Sequence, residues 1–199
     1  MKRILSSLIA TGALLGAVSA QAALLDASSV SATGSYNNDL SLLTDGLIPN
    51  ENSGWTSNTV WWNGTATSFT FDLGATYSLE DLRVSLDNND TYAISYSLDG
   101  LSWESLIDIT NSMGEIGWGM DTFSTDSSNA EYVAAIDFGA VEAQYLSIAA
   151  IGGDNSYSIG EFEVYGSAIS TSQPGTVPLP GTLALMGLGL AALRLARKK

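Results

Sequence analysis

Large apolar residues return at every second position in several short runs of this chain. Phe69, Phe71 and Leu73 alternate with polar residues in Thr67–Gly74. Leu82, Val84 and Leu86 do the same, and then Tyr92, Ile94, Tyr96 and Leu98. A period of two places each set on one face of a strand. Residues 131–139, 144–153 and 159–166 continue the pattern, and Asp99-Gly100 ends one run as a turn pair. Between the termini no segment carries the i, i+3, i+4, i+7 spacing of an amphipathic helix. Short strands about 10 residues apart, separated by Gly, Asn, Asp and Ser, predict an all-β sandwich. No internal repeat interrupts it.

Two terminal segments depart from this alternation. The first, MKRILSSLIATGALLGAVSAQA, has Lys2 and Arg3, an apolar stretch from Ile4 to Val18, and small residues ending in Ala20-Gln21-Ala22. A basic start, an apolar middle and a small-residue end, in that order, predict a secretory signal peptide over 1–22. The second is the apolar run Gly181–Leu193, about 20 Å long as a helix. A hydrocarbon core about 30 Å thick is spanned only if Leu179 and Ala196 join the run and Arg194 snorkels. Arg197, Lys198 and Lys199 then hold that end on the cytoplasmic side. The expectation is a single C-terminal transmembrane helix, occupied transiently in the inner membrane, with the domain outside. SAISTSQPGT (167–176) reads as a polar linker, which leaves 23–166 for the sandwich.

Composition narrows the chemistry. The chain has no cysteine and no histidine, which removes Ser-His-Asp and Cys-His catalysis, disulfides and His- or Cys-ligated zinc. All 21 acidic residues lie between Asp26 and Glu163, where Arg83 is the only basic one, a formal charge of −20. Such a domain repels nucleic acid, which is excluded as a partner, and attracts divalent cations. G-x-S-x-G, P-loop and HExxH patterns are missing, so the expectation is a protein that is not an enzyme. Paired carboxylates leave a glycosidase as a remote reading. The stretch DNNDT (87–91) lacks the glycine and distal glutamate of a calcium-binding EF-hand and is read as a loop.

The C-terminal segment resembles a PEP-CTERM sorting signal, with a proline motif, an apolar helix and a basic tail at the extreme end. Val177, Pro178, Leu179, Pro180, Gly181 and Thr182 carry the match, with Leu179 where the family has glutamate. The resemblance implies a Gram-negative bacterium that makes exopolysaccharide, and an exosortase-type transpeptidase that removes the helix at 177–199. It also implies delivery to the cell surface or extracellular matrix.

The domain resembles the discoidin, or coagulation-factor C-type, galactose-binding-like fold. LLTDG (42–46) followed by Trp55, FTFDLG (69–74), ISYSLDGLSW (94–103) and IGEFEVYG (159–166) stand in the family's order and spacing. The family's arginine is missing from AQYLSIAA (143–150). The resemblance implies a discoidin-like jelly-roll β-sandwich whose ligands bind at loops on one end, and a structural calcium ion. Asp45 and Glu161 would hold the metal, with Asn50, Ser53 and the carbonyls of Leu43 and Gly46 completing six to eight oxygens. GWTSNTVWWNGT (54–65) and Trp118, between glycines, supply aromatics on which a sugar could stack: Trp55, Trp61, Trp62 and Trp118. In an extended segment Trp61 and Trp62 point to opposite faces, so one of them is expected in the core. The functional expectation is non-catalytic binding of a polysaccharide or cell-surface glycan. An acidic structural protein of the surface or biofilm, without a specific ligand, is the other reading.

Overall fold

The computed structural model describes residues 22–115 and 117–169. All of the expected signal peptide except Ala22, and the sorting residues Val177, Pro178, Leu179, Pro180, Gly181 and Thr182 with the transmembrane helix, lie outside them. Among the described residues no helix is long and apolar enough to cross a membrane.

Among the described residues nine strands form in chain order: β1 (Ala23–Leu25), β2 (Ser29–Thr33), β3 (Val60–Asn63), β4 (Ser68–Asp87), β5 (Thr91–Ser97), β6 (Glu104–Ile109), β7 (Met120–Ser124), β8 (Val141–Gly152) and β9 (Ser156–Ala168). The main path through the sheet is β1-β9-β4-β8-β5-β6. From this path β2 and β7 branch onto β4, and β3 onto β9. Every pairing between these strands is antiparallel.

The topology turns on β4. The alternation that ends at Gly74 and the one that begins at Leu82 belong to a single strand. Gly74 takes φ +77°, and its N–H donates to Asp72 Oδ1 at 2.7 Å. A glycine in the left-handed region builds a bulge, which bends a strand without ending it. The register against β8 shifts between Asp72 and Tyr77. The first half of β4 pairs with β2 and β8, the second with β9 and β7. The sheet therefore folds over on itself. Trp62 on β3 contacts Tyr92 on β5, two strands far apart along the sheet path, with ring centroids 6.3 Å apart. Between the two layers Phe71 stacks on Phe162 at 4.2 Å, and Trp62 packs against Phe69 at 5.0 Å.

Most of the period-two residues fill this core, but the run from Tyr92 leaves it: Tyr96 is only partly buried and Leu98, past the end of β5, is exposed. Phe69, Phe71, Leu73, Leu82, Val84, Leu86, Tyr92 and Ile94 are all buried. Residues 131–139, expected as a strand, are not one: a 3-10 turn covers Ala134–Ile136, and Tyr132 makes a lone bridge to Ser124. Only Ile136 of the turn reaches the core, and the Tyr132 hydroxyl donates to Asp137 within the segment. β9 also runs to Ala168, so Ser167 and Ala168 pair with Ser78 and Tyr77 instead of opening the linker.

Candidate functional site

Two regions carry the candidate residues. The first is built where the loop after a 3-10 turn (Leu40–Leu43) meets β9. Asp39 caps that turn by accepting the Ser41 N–H, and Leu43 is sealed in the core. Asp45 Oδ1 then accepts the Leu47 N–H at 2.9 Å, a local carboxylate turn across Gly46 at φ +77°. This aims the Gly46 N–H at Glu161, whose Oε2 accepts it at 3.2 Å. The loop lies tightly on β9, because a Cβ at Gly160 would stand 2.4 Å from Pro49. Asp45, Gly46, Asp26, Glu161 and Phe71 line a cleft of about 410 Å³.

Charge is unevenly settled in this cleft. Arg83 grips Glu163 through two bonds, 2.6 and 2.9 Å, and Tyr165 donates to the same carboxylate at 2.7 Å. These partners hold Glu163 below the ordinary glutamate range although it is buried. Glu161, two residues earlier and 2% exposed, meets the carboxylate of Asp45 instead of a cation. Burial first, and then the Asp45 charge and contact, push Glu161 up to about 7.

The donor set is compatible with calcium: carboxylate oxygens brought together without a compensating cation, beside a loop with backbone carbonyls. Among the described residues no three acidic side chains converge on one point, so carbonyl oxygens, of Leu43 and Gly46 among others, would have to complete the shell. Asn50 and Ser53, expected as ligands, are not brought to the pair. Asn50 lines a different cleft with Arg83 and Thr122, and the Ser53 carbonyl accepts the Met120 N–H at 3.2 Å.

The second region is the loop end where β4 passes to β5. Asn88 N–H donates to the Gly119 carbonyl at 2.9 Å, which ties the β6–β7 loop to this turn. Asp90 Oδ1 accepts the Asp154 N–H at 3.0 Å, and Asn89 donates to Asp154 Oδ2 at 2.9 Å, which ties in the β8–β9 turn. Asp87 and Asp90 are buried here. Burial and the Asp154 charge push Asp87 up to about 6. Burial, with the charges of Asp87 and Asp154, pushes Asp90 up to about 7. DNNDT is thus a turn, as read from the sequence, but one whose acids organise three loops.

Trp118 stands on this framework at 65% exposure, the most exposed aromatic among the described residues. Gly117 has open space around it, and Gly119 (φ +78°) would set a Cβ 2.8 Å from the Ser53 carbonyl. Gly119 thus lets this segment lie close against the Asn52–Ser53 backbone. The other tryptophans divide. Trp62 is fully buried among Phe69, Tyr92 and Tyr157, which corrects the expectation that it contacts sugar: the inward face of β3 is core. Trp61 on the outward face and Trp55 are partly exposed and meet edge to face at 5.3 Å. Asp87, Asp90 and Asp154 had no signal in the sequence as a group, since 64 residues separate Asp90 from Asp154.

These features define a class, a small all-β sandwich module folded as discoidin-like jelly rolls are. Residues 25–163 match the F5/8 type C domain, and the chain belongs to that family. Residues 176–199 match the PEP-CTERM protein-sorting motif. A truncated AlyQ with CBM32 and alginate lyase domains is 22% identical with TM-score 0.53. The match covers 81% of this chain and 37% of that one. The CBM32 of AlyQ in complex with 4,5-unsaturated mannuronic acid is 18% identical with TM-score 0.51, over 71% and 97% of the two chains. The chitosan-binding module 2 of a chitosanase/glucanase from Paenibacillus sp. IK-5, in complex with chitotriose, is 17% identical with TM-score 0.42, over 71% and 98%. No curated protein matches the chain.

Proposed function

We propose that this chain is an exported, non-catalytic carbohydrate-binding module of the cell surface or extracellular matrix. Glycan meets the loop end that bears Trp118, with Trp61 and Trp55 as outlying aromatics. An exosortase-type transpeptidase processes the C-terminal signal after transient residence in the inner membrane, a reading that rests on the PEP-CTERM motif at 176–199. The carrying observation is an indole 65% exposed on a loop tied to the β4–β5 turn by the bond from Asn88 N–H to the Gly119 carbonyl. An exposed ring offers its face to pyranose C–H groups. Arg83, the only basic residue from 22 to 169, is occupied by Glu163, so a neutral sugar suits the module better than a uronate. Calcium, held by Asp45 and Glu161, serves as a structural ion that fixes the loop onto β9.

Affinity electrophoresis in gels containing soluble polysaccharides tests this. The protein is retarded by at least one neutral polysaccharide, and Trp118→Ala reduces the retardation about tenfold, the loss of one buried aromatic anchor. Unchanged retardation in Trp118→Ala would move the site elsewhere.

A further inference from the structure

The β5–β6 hairpin, at the far end of the sandwich, has features that neither the core nor the Trp118 end requires. Its turn is rigid. Asp99 Oδ1 accepts the N–H groups of Leu101 and Ser102 at 2.8 Å each and the Ser97 hydroxyl at 3.1 Å. Ser97 Oγ in turn accepts from Gly100 N–H at 3.0 Å. Gly100, at φ +70°, seats the turn against the ring of Tyr145, 3.6 Å from where a Cβ would stand.

This rigid turn presents large apolar side chains to solvent: Leu98 at 55% exposure, Leu101 at 85% and Trp103 at 39%. Three such groups on one short turn are more than the scattered single apolar residues of an ordinary surface. Beside them a cleft of about 170 Å³ is lined by Tyr96, Asp99, Ser102 and Glu104. Glu104, which lines this cleft, accepts the Tyr96 hydroxyl through one of its two carboxylate oxygens at 2.7 Å. The surface therefore combines an aromatic and aliphatic face with carboxylate and hydroxyl acceptors.

The charge of the domain selects the occupant. A second copy, nucleic acid or an anionic lipid would approach against −20 formal charges, with the one basic side chain committed to Glu163. A neutral sugar polymer brings no charge, offers C–H faces to Leu101 and Trp103, and offers hydroxyl donors to Asp99 and Glu104.

We infer that the Leu98–Glu104 hairpin is a second glycan-contact surface, opposite the Trp118 end, and that one domain bridges two polysaccharide strands. The inference rests on the carbohydrate-binding reading above. β5 separates the two ends: Asp90 lies just before it and Leu98 just after, about 26 Å apart at a strand's rise per residue. Strands held at both ends are tied together through the sandwich, which suits a matrix component.

The test uses the purified full chain with galactomannan and a soluble neutral β-glucan, and alginate as the anionic control. Retardation is read in affinity gels, and bridging is read as the rise in viscosity of the polysaccharide solution. The variants are Trp118→Ala, the double change Leu101→Ala with Trp103→Ala, and all three together. All these side chains are exposed, and equal melting temperatures verify folding. The expected result is that each end's variant weakens retardation about tenfold and abolishes the viscosity rise, while the triple variant loses retardation altogether. If the hairpin variant matches the unaltered protein in both readouts while Trp118→Ala does not, the second surface is overturned and the Trp118 reading stands. If no neutral polysaccharide retards the unaltered protein, both fall, and retardation by alginate alone overturns the charge argument.

Discussion

Replacing Glu161 with glutamine isolates the electrostatic state of the cleft beneath β9. With no metal bound, Glu161 faces the carboxylate of Asp45, and its proton affinity rises from an ordinary value of 4.5 to about 7. A folded-state value above the unfolded one means that the native protein holds a proton the unfolded chain has released. The contribution of Glu161 to stability is then greatest below about pH 4.5, falls as pH rises toward about 7, and stays low above that. At 1.36 kcal/mol per pH unit, the penalty on the ionised folded state at pH 8 is about 3 kcal/mol. The glutamine side chain would keep an oxygen for the Gly46 N–H and offer an amide donor to Asp45. In chelator at pH 8, Glu161→Gln should therefore be more stable than the unaltered protein by about 1–3 kcal/mol, roughly 3–10 °C for a domain of this size. At pH 4 the two should coincide. Calcium should reverse the order, raising the melting temperature of the unaltered protein and leaving the variant where it was, because the metal replaces the proton as the partner of the pair. Calorimetry or thermal fluorescence at pH 4, 6 and 8, with and without calcium, reads all of this. A variant less stable than its parent in chelator at pH 8 would refute the repulsion argument. Equal calcium stabilisation of both would refute the ligand role of Glu161.

The core and the opposite loop end yield two further expectations. Trp62→Ala removes a fully buried indole packed on Phe69, Tyr92 and Tyr157 and should cost about 3–5 kcal/mol in denaturant unfolding; the outward Trp61→Ala should cost about 1 kcal/mol or less. Asp90→Asn keeps the acceptor for the Asp154 N–H and removes a carboxylate that burial has pushed up to about 7. The variant should gain stability relative to its parent above pH 7 and match it below pH 4, as read from melting temperatures across that range.

Much of the fold was legible because a strand's period of two is a local property. The alternation at Phe69, Phe71 and Leu73 and at Tyr92 and Ile94 named core residues that the sandwich does bury. Asp99-Gly100 marked a real hairpin, with Gly100 at φ +70°. The strand expected at 131–139 failed because alternation alone provides no neighbour, and a ladder needs a free edge to pair with. β1, β2, β3, β6 and β7 escaped notice for the converse reason: they are short, and their partners β4, β5 and β9 supply most of their order.

The sequence by itself determined the all-β class, the excess of negative charge, and the absence of histidine and cysteine chemistry, since composition and periodicity need no third dimension. It also marked Trp118, between two glycines, as a candidate exposed aromatic. Only the tertiary structure decided which of two adjacent tryptophans is core, because that depends on which face of β3 the folded-over sheet covers. Only it joined Asp90 to Asp154 and gave Arg83, the one arginine between residues 22 and 169, to Glu163, 80 residues away, so that Glu161 was left facing Asp45. These pairings follow from the bend at Gly74 and the antiparallel register of β4 with β9, and electrostatic partners so distant along the chain are set by register alone.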